Sequence, residues 1–289
     1  MCDFKKLLDE NPWLKMIEIS NYGEPFLNPE LLEMIKYAYE RKVILSADNG
    51  VNLNNVKEDI LEALVKYRFR SVTCSIDGAS LETYRIYRVG GNFETVIENI
   101  RKINMFKKKY QSKYPHLMWQ FIIFGHNEHE IPAARKLARK LEMKFKLKLS
   151  WDSKFSPVRD QKLVKRELGV ASRAEYEQKH SKNYMWKICH QMWHDPQVNW
   201  DGKVLGCARN FWGHFEGNAF RDGLIKSLNT KKIRFARDMI LGKKAIRADI
   251  PCATCNIYKW MIAERKFLKK RPSFPYRMIG FIQHFLWRH

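Results

Sequence analysis

The chain of 289 residues carries 53 Lys and Arg against 31 Asp and Glu, a formal net charge of +22, with 45% hydrophobic residues. That is enough chain and enough apolar content for a buried core, which excludes a small disulfide-stapled scaffold. The charge points to a polyanionic partner, whether nucleic acid, an acidic membrane face or an anionic substrate, without naming one. The opening MCDFKKLLDENPW has no basic stretch followed by an apolar run, and no window approaches the roughly 18 apolar residues of a membrane span, so a cytoplasmic protein is expected. Six cysteines in such a chain read as reduced thiols rather than a disulfide framework.

From residue 16 to residue 149 short β-rich runs alternate with helical patterns, the signature of β-α units around a parallel sheet. The runs are MIEIS (16–20), VILSA (43–47), SVTCSI (71–76), MWQFIIF (118–124) and KFKLKL (144–149). Most read as too apolar for a sheet wetted on one face. Between them apolar residues repeat every three or four positions, as in Leu31, Ile35 and Ala38, or Val96, Ile100 and Ile103, which predicts helices packed on the sheet. Asn28-Pro29-Glu30 predicts a helix start, with a cap, a proline in the first turn and an acid behind it. Asn92, followed by Thr95 and Glu98, predicts another. Residues 151–185 are polar and read as a connector with one helix near Arg173–His180. Residues 186–260 turn Trp-rich and Gly-rich, and QVNWDGKVLGC (197–207) predicts a hairpin around Asp201-Gly202. Residues 261–289 form a basic tail with Met278, Ile282 and Phe285 on one stripe, suited to peripheral contact with an anionic membrane or to docking on the fold.

Four of the cysteines, Cys189, Cys207, Cys252 and Cys255, fall in the last hundred or so residues. Cys252-Ala-Thr-Cys255 puts two thiols on one tight turn, and the hairpin can bring Cys207 near Cys189. Converging thiolates select zinc or an iron–sulfur cluster, and spacing alone leaves both open, with His190 or His194 able to replace a thiol in a zinc site. A second group is Asn21 to Pro29, NYGEPFLNP, where Gly23 can place backbone amides against a ligand and Glu24 stands at the carboxyl edge of a strand. On the residues alone, a turn followed by a helix start is the favoured account of this stretch. A third is SIDGASLETYRIYRVGG (75–91), which brings Ser75 and Asp77 to the next edge, with Arg88 as a clamp for a carboxylate or phosphate. Asp48-Asn49-Gly50 and GHNEHE (125–130) end two further strands, and His126 and His129 are candidate metal ligands. Polar residues at every strand end predict a ligand pocket there.

The order GEPFLNP, DNG, SIDG, then YR and the FETVIENI helix resembles the core of the radical S-adenosylmethionine (radical SAM) enzymes. The segment holding the four late cysteines and WDGKV resembles the SPASM or shorter twitch domain appended to many of them. The resemblance spans about residues 13 to 256. It implies an α/β fold, a partial (β/α)6 TIM-like barrel over residues 1–150 lacking its first strand, followed by a small Cys-rich SPASM/twitch domain. It implies S-adenosylmethionine bound by Tyr22, Gly23, Glu24, Pro25, Asn49, Ser75, Asp77 and Arg88, with Tyr22 standing where the family has its first glycine. It also implies an auxiliary [4Fe–4S] cluster on Cys189, Cys207, Cys252 and Cys255.

The family's radical-generating cluster sits on C-x3-C-x2-C ahead of the GEP segment, and this sequence contains no such run. The expectation is that the sequence starts inside the first helix, and that a second [4Fe–4S] cluster and cleavage of S-adenosylmethionine require a preceding segment. The resulting reading is an oxidoreductase or maturase that modifies an unknown substrate, an anionic peptide or sugar being favoured by the charge, with an electron-donor protein as partner and nucleic acid not expected. The rival reading is a non-catalytic four-cysteine metal-binding module on a basic scaffold that docks nucleic acid or an acidic membrane. There Trp186, Trp193, Trp200 and Trp212 would offer stacking surface instead of core packing.

Overall fold

The computed structural model describes residues 1–268, so the expected stripe of Met278, Ile282 and Phe285 lies outside the described residues. The chain divides between Ser181 and Lys182 into two units. In the first, β1 (Met16–Glu18), β2 (Ile44–Val51), β3 (Ser71–Ser75), β4 (His116–Ile123) and β5 (Lys144–Leu149) pair in sequence order, all parallel. The five strands are those the sequence predicts. Parallel neighbours need a crossover; α2 (Leu31–Glu40), α3 (Glu58–Lys66) and α6 (Ile131–Lys140) each supply one, and α4 (Leu81–Tyr87) with α5 (Phe93–Lys109) fills the step from β3 to β4. A further helix, α1 (Cys2–Glu10), precedes β1.

Register sorts the side chains into two unlike faces. Glu18 stands opposite Ser46, Ser75 opposite Gln120, and Gln120 opposite Lys146. Since side chains alternate along a strand, one face carries Leu45, Ala47, Val72, Cys74, Trp119 and Phe121, all at most 3% exposed. This face packs under the buried stripes of the helices, such as Leu31, Ile35 and Ala38 of α2. The other face carries Glu18, Ser46, Asp48, Ser71, Thr73, Ser75, Gln120, Lys144, Lys146 and Lys148. The expectation that these strands are too apolar to present a polar face is therefore corrected. The apolar residues in SVTCS and KFKLKL occupy one parity, and that parity is the one under the helices.

Local chemistry sets the boundaries. Asn92 accepts from the Thr95 amide at 3.1 Å and starts α5 as expected. Asn28 instead accepts from the Glu30 amide at 2.9 Å in a side-chain turn, and α2 begins just after it, at Leu31. β2 runs on through Asp48-Asn49-Gly50, which the sequence places at the strand's end. Gly50 has φ +115°, and the ladder shifts register between Ala47 and Val51. In the connector α8 (Arg173–His180) appears where expected, joined by α7 (Gln161–Leu168), which is capped by Asp160 and ended by Gly169 in the left-handed conformation.

The second unit holds α9 (Gln191–His194), α10 (Leu224–Ser227), α11 (Lys231–Ile240) and α12 (Asn256–Ala263). The expected hairpin is present: Val198 bridges Val204, the Asn199 amide donates to Lys203 at 2.8 Å, and Gly202 takes φ +81° in the turn. Met192, Val204, Phe215, Ile233, Met239 and Tyr258 form its core together with Cys189 and Cys255. No helix of the described residues is long and apolar enough to cross a membrane.

A Cβ at Gly50 would lie 2.4 Å from Ser75 Oγ and 3.1 Å from Gln120 Nε2, on a backbone that L side chains rarely adopt. Gly50→Ala is therefore expected to destabilise the fold by about 1–3 kcal/mol, read as a lower urea midpoint at unchanged slope.

Candidate functional site

The carboxyl ends of β1 and β2 are tied by Glu18, which the sequence reading passed over as an ordinary strand residue. Its carboxylate accepts from the Ser20 amide at 2.9 Å, the Asp48 amide at 3.0 Å and Asn49 Nδ2 at 2.9 Å, and from the Ser20 hydroxyl. The Asn49 amide donates in turn to Ser20 Oγ at 3.0 Å. Next along the chain Tyr22 and Gly23 are exposed, and Gly23 has φ +81° with nothing within 4 Å of where a Cβ would be. The backbone there is bare and open to a ligand. Glu24 caps the short 3-10 turn Pro25–Leu27 by accepting from the Phe26 amide at 3.2 Å, and its other oxygen accepts from the Asn52 amide at 2.7 Å. Burial pushes the Glu24 carboxyl up, against the pull of those two amides and of Arg88.

At the end of β3, Ser75 is buried and Asp77 fully so. Asp77 accepts from Arg88 at 2.6 and 2.7 Å through one oxygen and from the Ile122 amide at 2.6 Å through the other. Burial raises its pKa, opposed by Arg88 and by the Ile122 amide. The arginine expected to clamp a ligand carboxylate is thus held by a carboxylate of the protein, and the aspartate expected among the S-adenosylmethionine ligands is engaged on both oxygens. Asn127 locks the adjoining turn by donating to Asp77 O and Ile122 O. Glu130 accepts from the Ala79 amide and the Ser80 hydroxyl, both at 2.6 Å. His126 bonds Ser156 Oγ through Nδ1 at 2.8 Å and stacks on Phe124. GHNEHE therefore serves as strand-end bracing through Asn127, Glu128 and Glu130. His126 is thus taken up by Ser156 and Phe124, and among the described residues no group of three His, Cys, Asp or Glu forms around these histidines.

Several buried polar atoms of this unit have no hydrogen-bond partner: Asn21 Nδ2 beside Tyr22, Ser46 Oγ and Gln120 Oε1 on the polar face, and His126 Nε2 at the β4 end. Buried polar groups are normally satisfied, so each of these atoms is a candidate to be met by water or a ligand.

In the second unit Cys189, Cys207, Cys252 and Cys255 line one cavity of about 20 Å³, together with Met192, Trp212, Phe215 and Tyr258. All four are free thiols, and none of the lining residues is His, Asp or Glu, so His190 and His194 stand outside the cavity. The four surround this space without three of them converging on one point. Burial holds the Cys189, Cys207 and Cys252 thiols above the ordinary range, while the nearby backbone amides of Arg209 and Asn210 oppose the shift at Cys207.

Residues 6–138 match the sequence model of the Radical SAM superfamily. This segment is similar in sequence to radical SAM domains. Among solved structures the chain is similar to Streptococcus suis SuiB bound to S-adenosylmethionine, at 12% identity and a TM-score of 0.61, over 89% of this chain and 64% of that one. It is similar to SuiB bound to precursor peptide SuiA at 11% identity and a TM-score of 0.61, over 89% of this chain and 63% of that one. At such identity the likeness is one of fold, and it places the open five-stranded sheet as part of a TIM-like barrel. The chain spans under two thirds of the SuiB chain. No curated protein matches it.

The radical SAM family implies S-adenosylmethionine and a [4Fe–4S] cluster. For the first, the bare Gly23 backbone, the half-buried Glu24 and the orphaned Asn21 amide are a fitting cradle. For the radical-generating cluster the residues present do not fit. Cys2 is exposed on α1, Cys74 is buried on the helix-covered face of β3, and no C-x3-C-x2-C run occurs.

Lys148, on the polar face at the end of β5, has its pKa pushed down to about 8 by burial and by Lys146 and Arg173. Its unfolded value is about 10.4, so the folded state disfavours the proton; the cost is fully present below pH 8 and vanishes above the unfolded value. Lys148→Met is expected to stabilise the protein at pH 7 by about 1 kcal/mol after allowance for solvent screening. Urea titrations should show this gain closing as the pH is raised past about 10.

Proposed function

We propose that this chain provides the S-adenosylmethionine-binding and substrate-binding parts of a radical SAM oxidoreductase or maturase that modifies a peptide, and that its second unit is a SPASM/twitch-like domain holding an auxiliary [4Fe–4S] cluster. The observation that carries the reading is the single cavity lined by four free thiols, in a chain whose first unit is similar in sequence to radical SAM domains. A peptide substrate is supported by the fold shared with SuiB, which has been crystallised with its precursor peptide.

The chain's own residues have distinct tasks. Gly23 offers backbone to the amino-acid end of S-adenosylmethionine, and the Glu24 carboxylate fixes the loop that presents it. Asp77 keeps Arg88 folded against the β3 end, so Arg88 presents what remains of its fork toward a ligand carboxylate. Cys189, Cys207, Cys252 and Cys255 bind the auxiliary centre, which when bound supplies a one-electron acceptor. The Arg209 and Asn210 amides favour thiolate at Cys207. Trp212 Nε1 donates to Pro251 O at 3.0 Å and ties the Cys207 loop to the Cys252 turn. Met192 and Phe215 line the remaining wall and exclude water.

Two experiments test the reading. After anaerobic reconstitution with iron and sulfide, Cys252→Ala is expected to lose the auxiliary iron while far-UV circular dichroism stays unchanged. Unchanged iron content sinks the ligand assignment, and zinc in place of iron identifies a structural metal site. Titration with S-adenosylmethionine is expected to show binding that Glu24→Ala weakens by about tenfold or more, because the loop loses two charge-assisted amide bonds. Absence of binding to the reconstituted full chain removes the enzyme reading.

A further inference from the structure

The three lysines of KFKLKL all project from the polar face of β5, where Lys146 stands opposite Gln120 and Lys148 opposite Ile122. Lysine on an edge strand commonly discourages edge-to-edge pairing. Such a guard works best in water, and Lys146 is exposed, but Lys148 is half-buried. Neither has a carboxylate within ion-pair distance among the described residues. Half-burying an unpaired ammonium costs stability, so its retention calls for a compensating partner. A third cation is fixed at the same strand end. Arg173 donates to Leu149 O at 2.8 and 3.2 Å and lies 3.7 Å over the Trp151 ring. Across the ladder Gln120 is 4% exposed with its Oε1 unpartnered, an acceptor that awaits a donor.

We propose that Lys146 and Lys148 hold an acidic side chain of the substrate peptide, with Arg173 closing the anion from the β5 end and Gln120 accepting from a peptide N–H. The inference rests on the peptide reading above and assigns its recognition chemistry. Two ammonium groups and a guanidinium against one carboxylate make a charge-assisted site whose strength depends on partial desolvation, which Lys148 already has. The groups facing Lys148 are Lys146, Arg173 and, at longer range, Asp77, so the two cations favour an incoming anion and Asp77 opposes it.

The test uses the full chain and two labelled, end-capped probes, hexaglutamate and hexaglutamine, read by fluorescence anisotropy. Hexaglutamate is expected to bind better than hexaglutamine. Lys146→Gln with Lys148→Gln should weaken hexaglutamate by about tenfold or more, whereas Lys136→Gln with Lys140→Gln on exposed positions of α6 should change it less than about twofold. Equal losses in the two pairs, or none in the first, overturn the proposal, because general surface charge then explains the binding. Lys146→Glu with Lys148→Glu gives an independent readout, a preference switched to capped hexalysine; persistence of the glutamate preference overturns the proposal. S-adenosylmethionine binding is measured on the same samples. Its absence with glutamate discrimination intact removes the enzyme reading alone, and its presence without discrimination removes this inference alone.

Discussion

A parallel ladder has a side-chain period of two, and that period decides what the first unit can do. Once Leu45, Val72, Cys74, Trp119 and Phe121 are pinned beneath the helices, the register leaves no freedom for the alternate positions. Glu18, Ser46, Ser75, Gln120 and Lys146 must share the opposite face. A slip of one residue in any strand would bury charges under a helix and is excluded by the cost of doing so. Chemistry is confined to the polar face and to the strand ends, where chain direction gathers five different loops.

Those loops are held by carboxylates that accept from backbone amides. Glu18 bridges the ends of β1 and β2, Glu24 joins its own turn to Asn52, Asp77 takes the Ile122 amide, and Glu128 takes those of Arg159 and Asp160. An amide donor satisfied by a charged acceptor is worth more than one satisfied by water, and the geometry it imposes is narrow. The strand ends are thus a braced rim, which is what a site that must hold a reactive ligand in one orientation needs. The Asp77–Arg88 pair belongs to the same system. With Asp77 fully buried and Arg88 about a quarter exposed, neither charge is tolerable there without the other.

Much of this was legible in the sequence, for reasons specific to each element. The five strands announced themselves through dense β-branched and aromatic runs, and α5 through its Asn92 cap. The polar face was legible only as parity: counting apolar residues in KFKLKL says buried strand, while alternation says two faces. The extension of β2 was hidden because Asp-Asn-Gly is a turn signal, overridden here by pairing with β3 around Gly50. Helix α7 carried its marks, Asp160 before it and Gly169 after it, inside a stretch too charged to draw attention. Glu18 and Glu130 carried no local mark, since their partners lie about thirty and fifty residues away. The pairing of Asp77 with Arg88 needs α4 between them and cannot be read from their separation alone.

The second unit poses the opposite problem. Among the described residues its regular structure is slight, two four-residue α-helices, one of ten residues and one of eight, with a hairpin made by isolated bridges. Cys189 and Cys255 are nevertheless core members, packed with Met192, Val204, Phe215 and Tyr258. The Cys189 thiol stays protonated in that setting, because burial disfavours the thiolate. A metal centre bound there, as proposed, would reverse the balance by displacing protons and joining three separate segments at one point, so that binding free energy would become folding free energy. The loops between Cys189, Cys207, Cys252 and Cys255 are too irregular to be positioned by secondary structure alone. The cavity that the four thiols share lies against this unit's sparse core, so the centre proposed for it would also complete that core.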